Sequence, residues 1–159
     1  MEREQIAGLT AELTAQLRLI ERVYQRLDDR LSLGLETPAQ LDSIAYQIHN
    51  LYCAIEDLLK LVANAFENRI GAGSEWHCTL LLRLSQPVQG VRPAFLSEEA
   101  FSLLNRLRGS RHFVRHGYGG EIEINQLRTN LDLAMQLKTL INQDLHLFLE
   151  EVSKGGDRE

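Results

Sequence analysis

The amino-acid sequence predicts an all-α protein, an antiparallel helical bundle of four long helices plus one short helix. Apolar residues recur at intervals of three and four along most of its 159 residues, which places them on one side of an α-helix. Alternating strand patterns are almost absent, and only three prolines occur in the chain. Brief connections between long helices favour antiparallel neighbours in a bundle.

The first two helices have the clearest boundaries. An apolar pattern over Ile6–Leu31 predicts a first helix that ends near Gly34. The segment Thr37–Gln40 then combines a capping threonine, a proline at the first helical position and a glutamine that completes a capping box. The second helix carries apolar residues over Leu41–Phe66, and we expect it to stop around Gly71–Gly73.

Three more helices follow. Ser74 is a candidate cap for a short third helix that runs from Trp76 to about Leu84, and residues 85–96 form the one clear loop. Ser97-Glu98-Glu99 starts a fourth helix, because a capping serine followed by acids suits the positive end of the helix dipole. This helix ends at the glycine-rich break 117–120, and the last helix covers about Asn125–Val152.

Composition indicates one soluble globular domain. The chain is 44% apolar and 25% charged, which is typical of such domains. We assign residues 1–152 to the domain and residues 153–159 to a flexible polar tail. No apolar run reaches the roughly 20 residues of a membrane span, and the charged N-terminus is unlike a secretory signal, so we expect a cytoplasmic protein. Cys53 and Cys78 are expected to be reduced, partly buried thiols.

The charge is unevenly distributed. The net charge of −5 argues against a general nucleic-acid coat protein, yet four arginines, two histidines and no carboxylate lie between Asn105 and Gly117. At about 100° per residue, five of these cations share an arc that borders the apolar stripe of the fourth helix: Arg108, Arg111, His112, Arg115 and His116. This basic helix end indicates a local anion site.

The residue types suit metal-free RNA cleavage. Arg111 offers a planar fork for a phosphate, and His116, in the last helical turn, is placed to exchange protons. In such a reaction the 2′-hydroxyl attacks the adjacent phosphorus while the arginine stabilises the developing charge. On spacing alone a structural explanation is favoured, because cations commonly offset the dipole at a helix end. His112 and His116, four residues apart, also leave a metal site open, although no third ligand is evident.

The string Arg-His-Phe-Val-Arg-His-Gly-Tyr at 111–118 resembles the R-x4-H-x-Y motif of the HEPN superfamily, in its HepT-like branch. The motif residues would be Arg111, His116 and Tyr118. The order of the helices and the segment Tyr52–Leu58 (Tyr-Cys-Ala-Ile-Glu-Asp-Leu) fit the same family. His112 occupies a place where the family often has asparagine. The resemblance therefore implies a HEPN-like bundle.

What the resemblance implies about function is specific. HepT-like proteins are RNA-cleaving toxins encoded beside a minimal nucleotidyltransferase antitoxin, which can transfer AMP to the motif tyrosine. Arg111 and His116 would be catalytic, and Tyr118 would be the AMPylation site. No cofactor is implied, and two motifs would face each other across the composite cleft of a homodimer. The supporting, phosphate-binding residues would be Arg108, His112 and Arg115.

The same fold leaves an alternative function open, since fold alone does not decide function. The chain would then be a non-catalytic helical subunit that binds a minimal nucleotidyltransferase, in a substrate-binding or antitoxin role. Among the remaining polar residues, we expect Glu56 and Asp57 to be solvated or salt-bridged, and His77 to be a packing or surface residue. The pattern places three tyrosines in the core: Tyr24, Tyr46 and Tyr52.

Overall fold

The computed structural model of the protein describes residues 1–67, 76–116 and 122–156, with the backbone alone at residues 76, 110–116 and 156. These ranges contain five helices, which confirms the predicted all-α bundle. In chain order they are α1 (Arg3–Leu31), α2 (Pro38–Phe66), α3 (Trp76–Leu84), α4 (Glu98–His116) and α5 (Ile124–Gly156).

The start of α2 is the predicted capping box. The Thr37 hydroxyl accepts the Gln40 N–H at 3.2 Å, and the Gln40 side chain accepts the Thr37 N–H at 3.1 Å. The predicted continuation of α2 to Gly71–Gly73 was wrong. The helix ends at Phe66, because Glu67 has an extended backbone (φ −134°, ψ 113°) and its carboxylate binds two arginines of the following segment.

The start of α4 was predicted correctly at Ser97, whose hydroxyl accepts the N–H of Ala100 at 3.3 Å. The last helix is longer than expected and runs to Gly156, into the segment predicted as a flexible tail. Near the end of this helix, Val152 is buried in the core, and the Ser153 hydroxyl donates to the Leu149 carbonyl at 2.8 Å. Residues 157–159 and the cap predicted at Ser74 lie outside the described residues.

The helices form a bundle in which α1 and α4 occupy opposite corners. Helix α1 packs on α2 and α5, and α4 packs on α2, α3 and α5, whereas the described residues of α1 and α4 make no contact with each other. Each long helix contributes fully buried aliphatic side chains to the shared core, among them Leu13, Leu27, Ile55, Leu104 and Leu137. Burial of each contributes about 1.5–3 kcal/mol to folding.

The two ends of the bundle differ. At one end, α2 and α5 terminate beside the start of α4, and the Phe148 ring packs edge-on against Phe66 and Phe95 with centroids 5.9 and 5.2 Å apart. At the other end, which we call the motif end, α4 finishes at His116. Because α2 and α5 terminate at the first end, their starts lie at the motif end, together with the α1–α2 turn.

The three tyrosines predicted in the core have different environments. Tyr24 and Tyr52 are buried, as predicted. The prediction for Tyr46 was wrong, because its side chain is 57% exposed. At about 100° per residue, Tyr46 points roughly 160° away from the buried Ile44 and Ile48 around the helix axis. It therefore lies on the outer side of α2, although Ile44, Ala45 and Ile48 are apolar.

Candidate active site

Helix α4, which carries the basic helix end, is fixed by α5 at its capping residue, Ser97. The carboxylate of Asp144 accepts the backbone N–H of Ser97 at 2.9 Å and the Ser97 hydroxyl at 3.0 Å. Asp144 is buried, and desolvation raises the pKa of its carboxyl, against the lowering effect of the two Ser97 bonds. The helix start is thus held by a group that α5 contributes from far along the chain.

The body of α4 is packed into the core along one side. The buried residues of its first three turns are Ala100, Leu103, Leu104 and Leu107. Arg108 follows directly and is half-buried, so its position borders the apolar stripe as the sequence predicts. A rigid, three-sided packing of α4 against α2, α3 and α5 fixes the direction in which its last turn projects.

The five cations of the predicted site lie on this one helix. The α4 backbone is helical through His116, which places Arg111 and His116 on its last turns, about 7.5 Å apart along the axis. The side chains at 110–116 are outside the described residues, and so is all of Tyr118. The roles assigned to Arg111, His112, Arg115, His116 and Tyr118 therefore remain predictions.

At the motif end, Glu123 starts α5. Its carboxylate accepts the backbone N–H groups of Asn125 at 2.9 Å and Gln126 at 2.7 Å. These two bonds hold the pKa of Glu123 below its usual value. This cap was not foreseen, although an acid two or three residues before an apolar helical run is a recognisable start signal. It fixes where the chain re-enters the bundle after the glycine-rich break.

A buried acid–histidine pair supports α3 beside α4. The Glu56 carboxylate on α2 bonds the His77 Nδ1 on α3 at 2.6 Å, with both side chains largely buried. The N–H groups of Phe95 and Leu96 bond the Leu84 carbonyl, so α3 runs back along α4 and His77 lies level with its middle. Glu56, expected to be solvated or salt-bridged, is buried with His77 as its hydrogen-bond partner, and His77, expected to be a packing or surface residue, is buried.

Other predicted side chains have structural environments. Asp57 is exposed and pairs with Lys60 at 3.0 Å, as expected. Cys53 and Cys78 are both partly buried and neither forms a disulfide. At the end of the bundle opposite the motif end, an open cavity of about 370 Å³ lies between the 85–96 loop, the start of α1 and the end of α5.

The described residues show neither a metal centre nor a membrane span. They bring no three histidine, cysteine, aspartate or glutamate side chains close enough together to hold a metal ion. None of the helices in the same ranges combines the length and apolar content needed to cross a membrane. The metal alternative at His112 and His116 falls on side chains outside these ranges and stays a prediction.

Comparison with known proteins supports the family suggested by the motif. A family model described as HepT-like protein matches residues 43–152, from early in α2 to near the end of α5. No curated protein and no solved structure showed significant similarity to the chain. The match covers more than half of the chain and includes all of α3 and α4. The chain therefore belongs to the family of HepT-like proteins.

Proposed function

We propose that the protein is a metal-independent endoribonuclease toxin of a toxin–antitoxin pair in the cytoplasm. One observation carries the proposal: a chain of the HepT-like family has the complete Arg111, His116 and Tyr118 set at the end of its fourth helix. The anchoring of α4 supports it, because catalytic groups act best when their helix is held rigidly. The local excess of positive charge at this helix end suits a phosphodiester substrate.

In the proposed reaction, the ribose 2′-oxygen attacks the adjacent phosphorus as its proton passes to a base. The bond from phosphorus to the 5′-oxygen breaks, and that oxygen takes up a proton, which leaves a 2′,3′-cyclic phosphate and a 5′-hydroxyl. Arg111 stabilises the negative charge that develops on the phosphoryl oxygens. His116 moves the protons, while Arg108, His112 and Arg115 hold neighbouring phosphates.

The motif residues give a first test. Purified wild-type protein should cleave a labelled RNA in the presence of a chelator, and Arg111→Ala or His116→Ala should lower the rate by about a hundredfold or more. Arg106→Ala is the matched control, because Arg106 is an exposed cation of the same helix outside the motif, and it should retain the wild-type rate. An inert wild-type protein that forms a stoichiometric complex with a nucleotidyltransferase would instead favour the non-catalytic subunit.

Tyr118 is the proposed point of control. A minimal nucleotidyltransferase antitoxin would transfer AMP from ATP to the Tyr118 hydroxyl and release pyrophosphate. The added phosphate places negative charge two residues from His116, where it would repel an RNA phosphate. Co-expression with the neighbouring nucleotidyltransferase should therefore increase the mass of the protein by one or more AMP units and abolish cleavage. Tyr118→Phe should remove the mass gain, and an unchanged gain in that variant would place the modification elsewhere.

We also propose that the active form is a homodimer in which two motifs share one cleft. Each chain carries a net charge of −5, so joining two basic helix ends would concentrate positive charge where RNA must bind. Two motifs would also supply two proton-transfer groups, one for the attacking oxygen and one for the leaving oxygen.

A further inference from the structure

Helix α1 carries a regular row of arginines on its exposed side. Its members, Arg18, Arg22, Arg26 and Arg30, are all exposed, and we call them the arginine row. They recur every four residues, so successive members are about 6 Å apart along the helix axis and the row is about 18 Å long. Within the described residues, no carboxylate forms an ion pair with any of the four.

The acids of α1 leave most of the row uncompensated. At about 100° per residue, Glu21 and Asp28 lie on the other flank of the helix, towards α5, and Asp29 lies within the row. Tyr24 identifies the side of α1 that faces α5, because its hydroxyl donates to the Ala134 carbonyl at 2.6 Å. In a protein of net charge −5, the row thus presents four positive charges beside two exposed acids of the same outer face, Asp29 of α1 and Asp42 of α2.

An exposed aromatic residue of α2 lies beside the row. The Gln16 side chain donates to the Ala54 carbonyl at 2.9 Å, which fixes the register of the antiparallel α1–α2 pair. This register places the 57% exposed Tyr46 level with Arg22 and Arg26. Those arginines lie on the side of α1 away from α5, and Tyr46 lies on the side of α2 away from the core, so they share the outer face of the helix pair.

We propose that the arginine row and Tyr46 form a docking surface for single-stranded RNA, a proposal that rests on the proposed ribonuclease function. A strip of cations that follows a backbone, next to an aromatic ring on which bases stack, is a general way to bind single strands. Guanidinium groups bind phosphates through paired hydrogen bonds, and regular spacing suits a polymer of regularly spaced charges. Binding of an acidic protein partner would require neither the regular spacing of the arginines nor the exposed ring of Tyr46.

The position of the surface suits delivery of RNA to the proposed catalytic residues. Helix α1 runs from the opposite end of the bundle to the motif end, so the row leads from Arg18 towards the end where α4 finishes. A strand held along α1 would lie outside the bundle and reach the motif only at that end. The row would therefore strengthen RNA binding without taking part in the chemistry.

The test measures RNA binding apart from cleavage. All variants are made in the His116→Ala protein, and the probe is a fluorescein-labelled uridine oligomer followed by fluorescence anisotropy over a range of salt concentrations. The double change Arg22→Gln/Arg26→Gln should weaken binding roughly tenfold near 0.1 M salt and reduce the slope of log affinity against log salt by about 1.4, or 0.7 per lost phosphate contact. Tyr46→Ala should weaken binding about fivefold or more, and Tyr46→Phe should not.

Matched variants separate the possible outcomes. Arg106→Gln/Lys154→Gln removes the same number of charges from exposed positions on α4 and α5 and should leave the affinity near that of the parent. Equal weakening by both double variants would overturn the proposal in favour of a net-charge effect. Row-dependent binding of labelled polyglutamate but not of RNA would overturn it in favour of an acidic protein partner.

Cleavage by the His116-intact protein distinguishes failure of this inference from failure of the proposed function. If the wild type cleaves RNA and Arg22→Gln/Arg26→Gln binds RNA like its parent, the docking surface is wrong while the ribonuclease stands. If the wild type cleaves nothing but binds RNA through the row, the docking surface stands and the ribonuclease is wrong.

Discussion

At Asp144, a single carboxylate joins α5 to the start of α4. It accepts both the N–H and the hydroxyl of Ser97, so it satisfies a backbone donor at a half-buried helix start. The same burial raises the pKa of the Asp144 carboxyl. The charged form is therefore less favourable in the folded protein than in the unfolded chain, even though the hydrogen bonds favour folding.

The raised pKa of Asp144 determines how stability changes with pH. Between its unfolded pKa, about 3.9, and its higher folded pKa, the folded protein binds the proton more tightly, so its free energy of unfolding declines as the pH rises through this window. Asp144→Asn keeps an acceptor for Ser97 without the charge. Urea denaturation should show this variant to be at least as stable as the wild type at pH 7, with its advantage smaller at pH 4.

The matched variant Asp144→Ala isolates the hydrogen bonds. It leaves the Ser97 N–H without its acceptor and should lower the free energy of unfolding by about 1–3 kcal/mol. A difference between wild type and Asp144→Asn that is the same at pH 4 and pH 7 would show that the charge of Asp144 does not affect stability.

Single-residue partners of this kind could not be predicted from the sequence. Ser97 was identifiable as a cap because its partners are local, but Asp144 is 47 residues away along the chain. The bond between Glu56 and His77 likewise joins two helices. Local spacing has no information about which distant side chains the bundle brings together, so both pairs are known only from the structure.

At the scale of elements, the 85–96 loop is held by one buried arginine. The Arg92 side chain is fully buried, and its Nε donates to Glu67 at 3.0 Å. Its terminal nitrogens donate to the carbonyls of Gln86, Pro93 and Arg83 at 2.9–3.2 Å. The planar guanidinium suits this set of acceptors, whereas a lysine presents a single ammonium.

Loss of Arg92 should destabilise the fold strongly. Arg92→Ala would leave Glu67 with Arg83 as its one arginine partner and would leave the carbonyls of Gln86, Pro93 and Arg83 without this donor. We therefore expect a decrease of about 3 kcal/mol or more in the free energy of unfolding. Arg92→Lys should recover only part of this loss. Gln89→Ala, in the same loop but exposed, should change stability by less than about 0.5 kcal/mol in the same urea titration. A loss below about 1 kcal/mol for Arg92→Ala would mean that water replaces the network.

The helices themselves were largely predictable. Amphipathic periodicity located all five, and the capping signals at Thr37 and Ser97 fixed two helix starts. The end of α2 was not predictable, because Glu67 leaves the helix to bind arginines that follow it by 16 and 25 residues. The prediction for Tyr46 was wrong because an aromatic residue within two positions of Ile44 and Ile48 resembles a core position until the helix face is known.

At the scale of the whole molecule, positive charge is concentrated at two places on this acidic protein. One is the basic helix end of α4, and the other is the arginine row of α1. They lie on opposite corners of the bundle and both lead to the motif end. The basic helix end was identifiable from the sequence because its five cations lie within one short segment, residues 108–116. The second is interrupted by acids in the sequence and emerges only when the helix faces are assigned.

The central claim is that the end of α4 cleaves RNA through a 2′-hydroxyl without a metal. The most direct measurement uses one labelled RNA and the same strand with a single 2′-deoxynucleotide at the mapped cleavage position, both incubated with purified protein and a chelator. We predict cleavage of the RNA to a 2′,3′-cyclic phosphate and a 5′-hydroxyl, and no cleavage at the deoxy position. Arg111→Ala or His116→Ala should abolish cleavage of the RNA. Cleavage at the deoxy position, or full activity of either variant, would contradict the claim.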